Sequence, residues 1–178
     1  NQEEDRFFYQ NLSVKDDKLL KKLAMYKNED IVELSEQREN YFKKICEYII
    51  HSSGTIIIID YGYYDFPRQY TLQSIFNHKS ANVLDNVGKQ DITSLVDFKK
   101  FIAIARDYNL KIEKYCNQKE FLLSNGLIDR NNKIIQQCET EQKKIIETGY
   151  NRLIDEKQMG FIFKFLILSS NNFDETVQ

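Results

Sequence analysis

At 178 residues, 42% hydrophobic and 29% charged, the chain is long enough for one domain with a real core. Its formal charge of −2 gives no general attraction to nucleic acid or to a membrane surface, and no apolar run reaches the length of a bilayer span. Cys46, Cys116 and Cys138 are odd in number, widely separated and outside any metal-ligand spacing, so they read as reduced, mostly buried thiols in a reducing compartment, with no metal site.

The chain opens Asn-Gln-Glu-Glu-Asp, without methionine and without a signal or transit pattern, and reads as a segment whose beginning lies elsewhere or has been removed. Arg6–Leu12 (RFFYQNL) is a strand candidate, and Lys18–Tyr26 fits either a helix face or a hairpin partner of that strand. Residues 1–34 are thus expected to form a strand-rich insertion. Ser35 is a candidate N-cap for a helix over Glu36–His51, where Tyr41, Ile45, Tyr48 and Ile49 recur at helical spacing. Gly54 can close that helix in the left-handed conformation.

Next comes Ile56-Ile57-Ile58-Ile59, an apolar block without alternation, which suits a strand buried on both faces in the middle of a parallel sheet. Ligands of open α/β sheets sit beyond the carboxyl ends of such strands, which puts Asp60, Tyr61 and Gly62 at the mouth of a site. The excursion that follows, to Asp97, is long enough to suggest function. Asp97 can then cap a helix to about Tyr108, and Leu110–Cys116 alternates as a strand. Gln118–Leu123 is a short helix ended by Asn125-Gly126, and 129–153 is helical in two pieces meeting near Cys138-Glu139. Met159-Gly160 breaks the chain before a final strand, Phe161–Leu168, and 169–178 is a polar tail. Residues 35–168 therefore read as an α/β core.

The stretches IDYG (59–62), TLQ (71–73), NHK (77–79) and DNVGKQDITSLVDF (85–98) resemble the MidA family of class I S-adenosylmethionine-dependent methyltransferases. QKEFLLSNGLIDR (118–130), RLIDEKQMGFIFKFLIL (152–168) and, less specifically, EDIVELSEQ (29–37) extend the resemblance in the same order. It implies the carboxyl-terminal part of a Rossmann-like methyltransferase fold, a mixed sheet with an antiparallel last strand. It also implies S-adenosyl-L-methionine as cofactor and protein arginine as acceptor, in mitochondrial members on a respiratory complex I subunit. Bacterial cytoplasm and mitochondrial matrix both suit such a protein, with the cytoplasm taken first. Tyr63 stands where the family has histidine, and Val87 where it has proline. The six glycines are isolated, with no G-x-G turn for a cofactor, so this chain resembles the carboxyl-terminal half and is expected to need the missing N-terminal half. A protein-binding module without catalysis is the competing reading.

Methyl transfer to a guanidinium needs carboxylates that orient the nitrogen and take its proton, for which Asp60, Asp91 and Asp97 are the candidates. Asp60 could instead satisfy nearby backbone N–H groups, and Asp97 could serve only as an N-cap. Tyr61, Gly62, Gln73, His78 and Thr93 are the substrate-side candidates. All but Thr93 have a structural alternative: packing for Tyr61, a backbone device for Gly62 and likewise Gly88, and loop hydrogen bonds for Gln73 and His78. Thr71 suits a turn cap, and Glu33 either the cleft or solvent. The aromatic cluster Tyr61, Tyr63, Tyr64 and Phe66 suits a lid over the core or a stack on a partner peptide.

Overall fold

The computed structural model describes residues 7–26, 31–67 and 69–171, and they divide into two compact units. Arg6, residues 27–30 and most of the polar tail lie outside the described residues.

The larger unit comprises residues 36–65 and everything from 96 onward. Its elements are α2 (Glu36–Ser52), β1 (Thr55–Tyr63), β5 (Val96–Asp97), α3 (Phe98–Asp107), β6 (Lys111–Asn117), α4 (Gln118–Ser124), α5 (Leu127–Gln136), α6 (Thr140–Ile154), α7 (Met159–Ile162) and β7 (Phe163–Ser169); the smaller unit holds the remaining elements, α1 (Asp17–Leu23), a short 3-10 turn (Ala24–Tyr26), β2 (Gln73–Phe76), β3 (Lys79–Ala81) and β4 (Asp91–Thr93). The sheet order is β5-β1-β7-β6. β7 enters between β1 and β6 and runs antiparallel to both, from Thr55↔Ser169 to Tyr61↔Phe163 on one side. β1 and β6 are therefore parallel to each other, and the sheet is mixed, as expected.

The isoleucine run departs from expectation. It is neither flanked by parallel strands nor buried on both faces. β5 pairs with β1 in parallel only at Gly62↔Val96 and Tyr63↔Asp97. On one face α2 and α3 pack over Ile56 and Ile58, with Leu166 and Leu168 fully buried and Phe42 stacked on Phe101 at 4.1 Å. Burial of each such side chain contributes about 1.5–3 kcal/mol. On the other face Phe121 of α4 stacks on Phe165 at 4.0 Å, but Ile57 and Ile59 stay 53% and 51% exposed. Alternation is the rule of any strand, and the run of identical residues conceals it.

Other boundaries differ in detail. The buried face of α2 is Phe42, Cys46 and Ile49, at i, i+4 and i+7, and Tyr41 and Tyr48 point outward. Ser53, at φ 50°, takes the left-handed position expected of Gly54. Asp97 caps α3, accepting from the Lys100 N–H at 2.9 Å. Cys138 falls in the turn between α5 and α6, and Phe161 and Ile162 form a helical turn before β7 begins.

The smaller unit, residues 1–35 and 66–95, has no strand where one was expected, since residues 7–12 are irregular. Asp16 caps α1 (Asp17–Leu23), which makes Lys18–Leu23 helical. The long excursion instead folds into a three-stranded antiparallel sheet, β3-β2-β4, from β2 (Gln73–Phe76), β3 (Lys79–Ala81) and β4 (Asp91–Thr93). Asn77 and His78, at φ 49° and 61°, make the two-residue turn between β2 and β3, the backbone that a tight hairpin requires. Glu33 is a clasp: its carboxylate accepts from the Thr71 N–H at 2.8 Å, the Leu72 N–H at 3.1 Å and the Thr71 hydroxyl. Thr71 in turn accepts from the Leu95 N–H at 3.1 Å, so one buried threonine holds both ends of the excursion.

Candidate functional site

The sequence-predicted residues fall into two groups. Asp60, Tyr61, Gly62 and Asp97 share the larger unit and one end of its sheet. Gln73, His78, Asp91 and Thr93 belong to the smaller unit, where Gln73 pairs with Thr93 and Asp91 with Ile75 across β2 and β4. His78 is exposed in its turn, and Val87 lies in the exposed turn before left-handed Gly88.

In the larger unit β1 and β6 end together, because both are measured against β7. Asp60 is half-buried and its carboxylate accepts from the N–H of Tyr61 at 2.8 Å. The Tyr61 ring meets Phe163 edge-on at 4.8 Å. Gly62 is an extended strand residue and not a flexible turn. A Cβ there would fall 2.4 Å from the Val96 carbonyl oxygen and 2.6 Å from the Phe98 ring, so glycine is what lets β5 and α3 close on β1. Burial raises the pKa of Asp97 above its ordinary value, against the Lys100 N–H and nearby lysines, which lower it. A carboxylate that is readily protonated suits proton transfer better than a fully solvated one.

Beyond the ends of β1 and β6 opens a cleft of about 420 Å3, lined by residues 62–65, 115–117, Glu120 and Lys164. Sequence reading missed Tyr115, Glu120 and Lys164. The Tyr115 ring lies 5.6 Å from that of Tyr64 and 5.7 Å from that of Phe98. Its hydroxyl is buried without a partner among the described residues, and burial, then the charges around it, push the phenol up to about 12. It is therefore protonated at neutral pH. Burial lowers the pKa of Lys164, whose amine donates to the Phe161 carbonyl. The predicted strand 110–116 could have pointed to Tyr115 at its end, but no sequence signal brought Glu120 and Lys164 to it. Burial raises the thiols of Cys46, to about 11, and of Cys116, so both stay protonated and unreactive.

Among the described residues no cluster of His, Cys, Asp or Glu could hold a metal ion, and no helix is long and apolar enough to cross a membrane.

A family model described as "Putative S-adenosyl-L-methionine-dependent methyltransferase" matches residues 1–116. The chain is 29% identical over 134 residues to the Protein arginine methyltransferase NDUFAF7 homolog, mitochondrial, of Caenorhabditis elegans, covering 74% of this chain and 30% of that protein. It is 32% identical over 139 residues to the Xenopus tropicalis protein of that name, covering 76% of this chain and 31% of the other. It thus spans less than a third of the length of these curated relatives. Among solved structures, an uncharacterized superfamily protein from Burkholderia thailandensis superposes with a TM-score of 0.76 at 22% identity, over 87% of this chain and 44% of that one. A second superfamily member from that organism, bound to S-adenosyl-homocysteine, superposes with a TM-score of 0.72 at 22% identity, over 86% and 42%. Both share the fold described above.

Proposed function

Because the chain belongs to this family of S-adenosyl-L-methionine-dependent methyltransferases, we propose that it forms the acceptor side of a protein arginine methyltransferase. The observation that carries this reading is the cleft beyond the ends of two parallel strands, walled by tyrosines and carboxylates, in a chain of that family. The names of the curated relatives support arginine as the acceptor and the mitochondrion as the compartment, ahead of the bacterial cytoplasm. A respiratory complex I subunit is the proposed protein substrate.

The cofactor supplies the methyl group, but this chain does not fit it. A cofactor cradle needs a glycine-rich turn that brings several backbone N–H groups to one ligand. Here the six glycines are isolated, Gly62 is spent on strand packing, and left-handed Gly88 and Gly126 stand alone in turns. Cofactor binding is therefore assigned to a second region, corresponding to the part of the longer relatives that this chain does not span. The open face at Ile57 and Ile59 and the part of β1 before Gly62, which β5 leaves unpaired among the described residues, are where that region would dock, since both leave apolar or hydrogen-bonding groups uncovered. What remains for this chain is to bind and orient the acceptor. Asp60 and Asp97 would direct the guanidinium nitrogen and relieve it of its proton, with Tyr61 and Gly62 shaping the strand end. Asp91 is the third carboxylate candidate, and further substrate contacts would fall to Gln73, His78 and Thr93.

A test is methyl incorporation from radiolabelled S-adenosyl-L-methionine into an arginine-bearing protein, using this chain mixed with the uncovered portion of the Burkholderia protein. Incorporation only in the mixture, falling at least about a hundredfold on Asp60→Asn, is the expected result. Association of the two parts without any transfer would leave the protein-binding reading, which the absence of a glycine turn favours.

A further inference from the structure

We propose that the cleft beyond β1 and β6 is a cation-accepting subsite for an arginine side chain, and that Lys99 of α3 holds its outer part in the free chain. The inference rests on the reading of the protein as an arginine methyltransferase, and gives that reading a seat for its substrate.

Four features of the cleft point to a cationic guest. The rings of Tyr64 and Tyr115, 5.6 Å apart and tilted by 41°, form an aromatic wall, and ring faces attract cations. The Tyr115 hydroxyl is a buried polar atom without a partner among the described residues, and such atoms in native proteins are nearly always satisfied by something. Asp65 and Glu120 bring two carboxylates to the same cleft. A guanidinium, planar and carrying five N–H donors, can stack on the wall while donating to a carboxylate and to the phenol oxygen.

The fourth feature is that the chain already places a cation there. The Lys99 amine lies 5.5 Å from the centre of the Tyr64 ring and 3.8 Å from the Asp65 carboxylate. Both partners of this pair are largely exposed, at 62% and 88%, so the contact is weak and readily exchanged. An incoming arginine that stacks deeper, against both rings, would displace it. Among the described residues that line the cleft, Lys164 is the cation that opposes such a guest. Its amine is already committed to the Phe161 carbonyl, and the Glu120 charge acts on it.

Lys99 makes the proposal testable in an unusual direction, because removing a residue that occupies the site must tighten binding. The 178-residue chain is titrated with N-acetyl-arginine amide while the ring signals of Tyr64 and Tyr115 are followed by NMR, and with the neutral isostere N-acetyl-citrulline amide as the comparison. We expect a saturable shift with arginine and none with citrulline. Lys99→Gln should tighten arginine binding about two- to fivefold. Tyr115→Phe, which removes only the hydroxyl, should weaken it about tenfold. Should that variant unfold, Glu120→Gln, which keeps an acceptor for the Asn117 N–H of the α4 cap, should weaken binding instead. An equal response to citrulline, no saturable response to arginine, or Lys99→Gln binding no tighter would each overturn the subsite. The titration uses no cofactor. A chain that binds arginine but never supports methyl transfer would thus contradict the functional reading alone, and a transferring enzyme whose affinity ignores Lys99 and Tyr115 would contradict the subsite alone.

Discussion

Ile58 and Ile59 are neighbours in one run of four identical residues, yet they lead to opposite faces of the same sheet. Ile58 packs with Leu166 under α2 and α3, while Ile59 stays half exposed on a face that α4 covers only as far as Phe165. Composition cannot separate the two residues. What separates them is which helices are available to lie on each face. The covered face carries the stability of this unit, and the open face is where the proposed second region would dock.

The sharpest way to break that contrast is to remove one side chain from each face. Leu166→Ala, at a fully buried position, should cost about 2–5 kcal/mol in urea unfolding. Ile57→Ala should cost about 1 kcal/mol or less, because half of the side chain is in water already. Equal losses would mean that the faces are not different.

Gly62→Ala probes the seam where the covered face closes. With a Cβ 2.4 Å from the Val96 carbonyl oxygen, β5 must move, at a cost of about 1–3 kcal/mol and with faster amide exchange at residues 96–100. At the same end Asp97→Ala should cost about 1 kcal/mol through loss of the α3 cap. Asp97→Asn keeps an acceptor and removes the titration, so it isolates the effect of pH. The native pKa of Asp97 is raised, so the folded state binds the proton more readily than the unfolded chain. Its contribution is therefore fully present below the ordinary value of 3.8 and is lost as pH rises through the raised native value. The stability of the wild-type chain relative to Asp97→Asn should fall across that window. A rise would contradict the burial of this carboxyl. The smallest effect on folding is expected from Ile57→Thr with Ile59→Thr, about 1 kcal/mol or less, and it is the variant that should most impair docking of a partner on the open face.

Much of the larger unit was legible in the sequence because its elements are long and their signals agree. The helix over 98–107 has Asp97 before it and an apolar face, and the second piece of the helix around Cys138 starts after Glu139, whose N–H donates to the Gln142 side chain. The smaller unit was read poorly. Strands of three or four residues carry too few positions for alternation to register, so β2 to β4 passed as loop. Asn77 before His78 was the one turn signal that could have exposed the hairpin. The site divides similarly. Asp60 to Gly62 were found because a strand ended there, whereas Tyr115, Glu120 and Lys164 come together only when β7 inserts between β1 and β6, a topology that spacing along the chain does not encode. Glu33 is the same lesson at shorter range: nothing near it in sequence announces that Thr71 will be its partner.

The most direct test of the account is calorimetric titration of S-adenosyl-L-methionine into this chain alone, into its mixture with the uncovered portion of the Burkholderia protein, and into the same mixture made with Ile57→Thr, Ile59→Thr. The account predicts heat of binding in the wild-type mixture only, lost or strongly reduced in the open-face variant. Binding of the cofactor by this chain alone, with the affinity of the mixture, would contradict it.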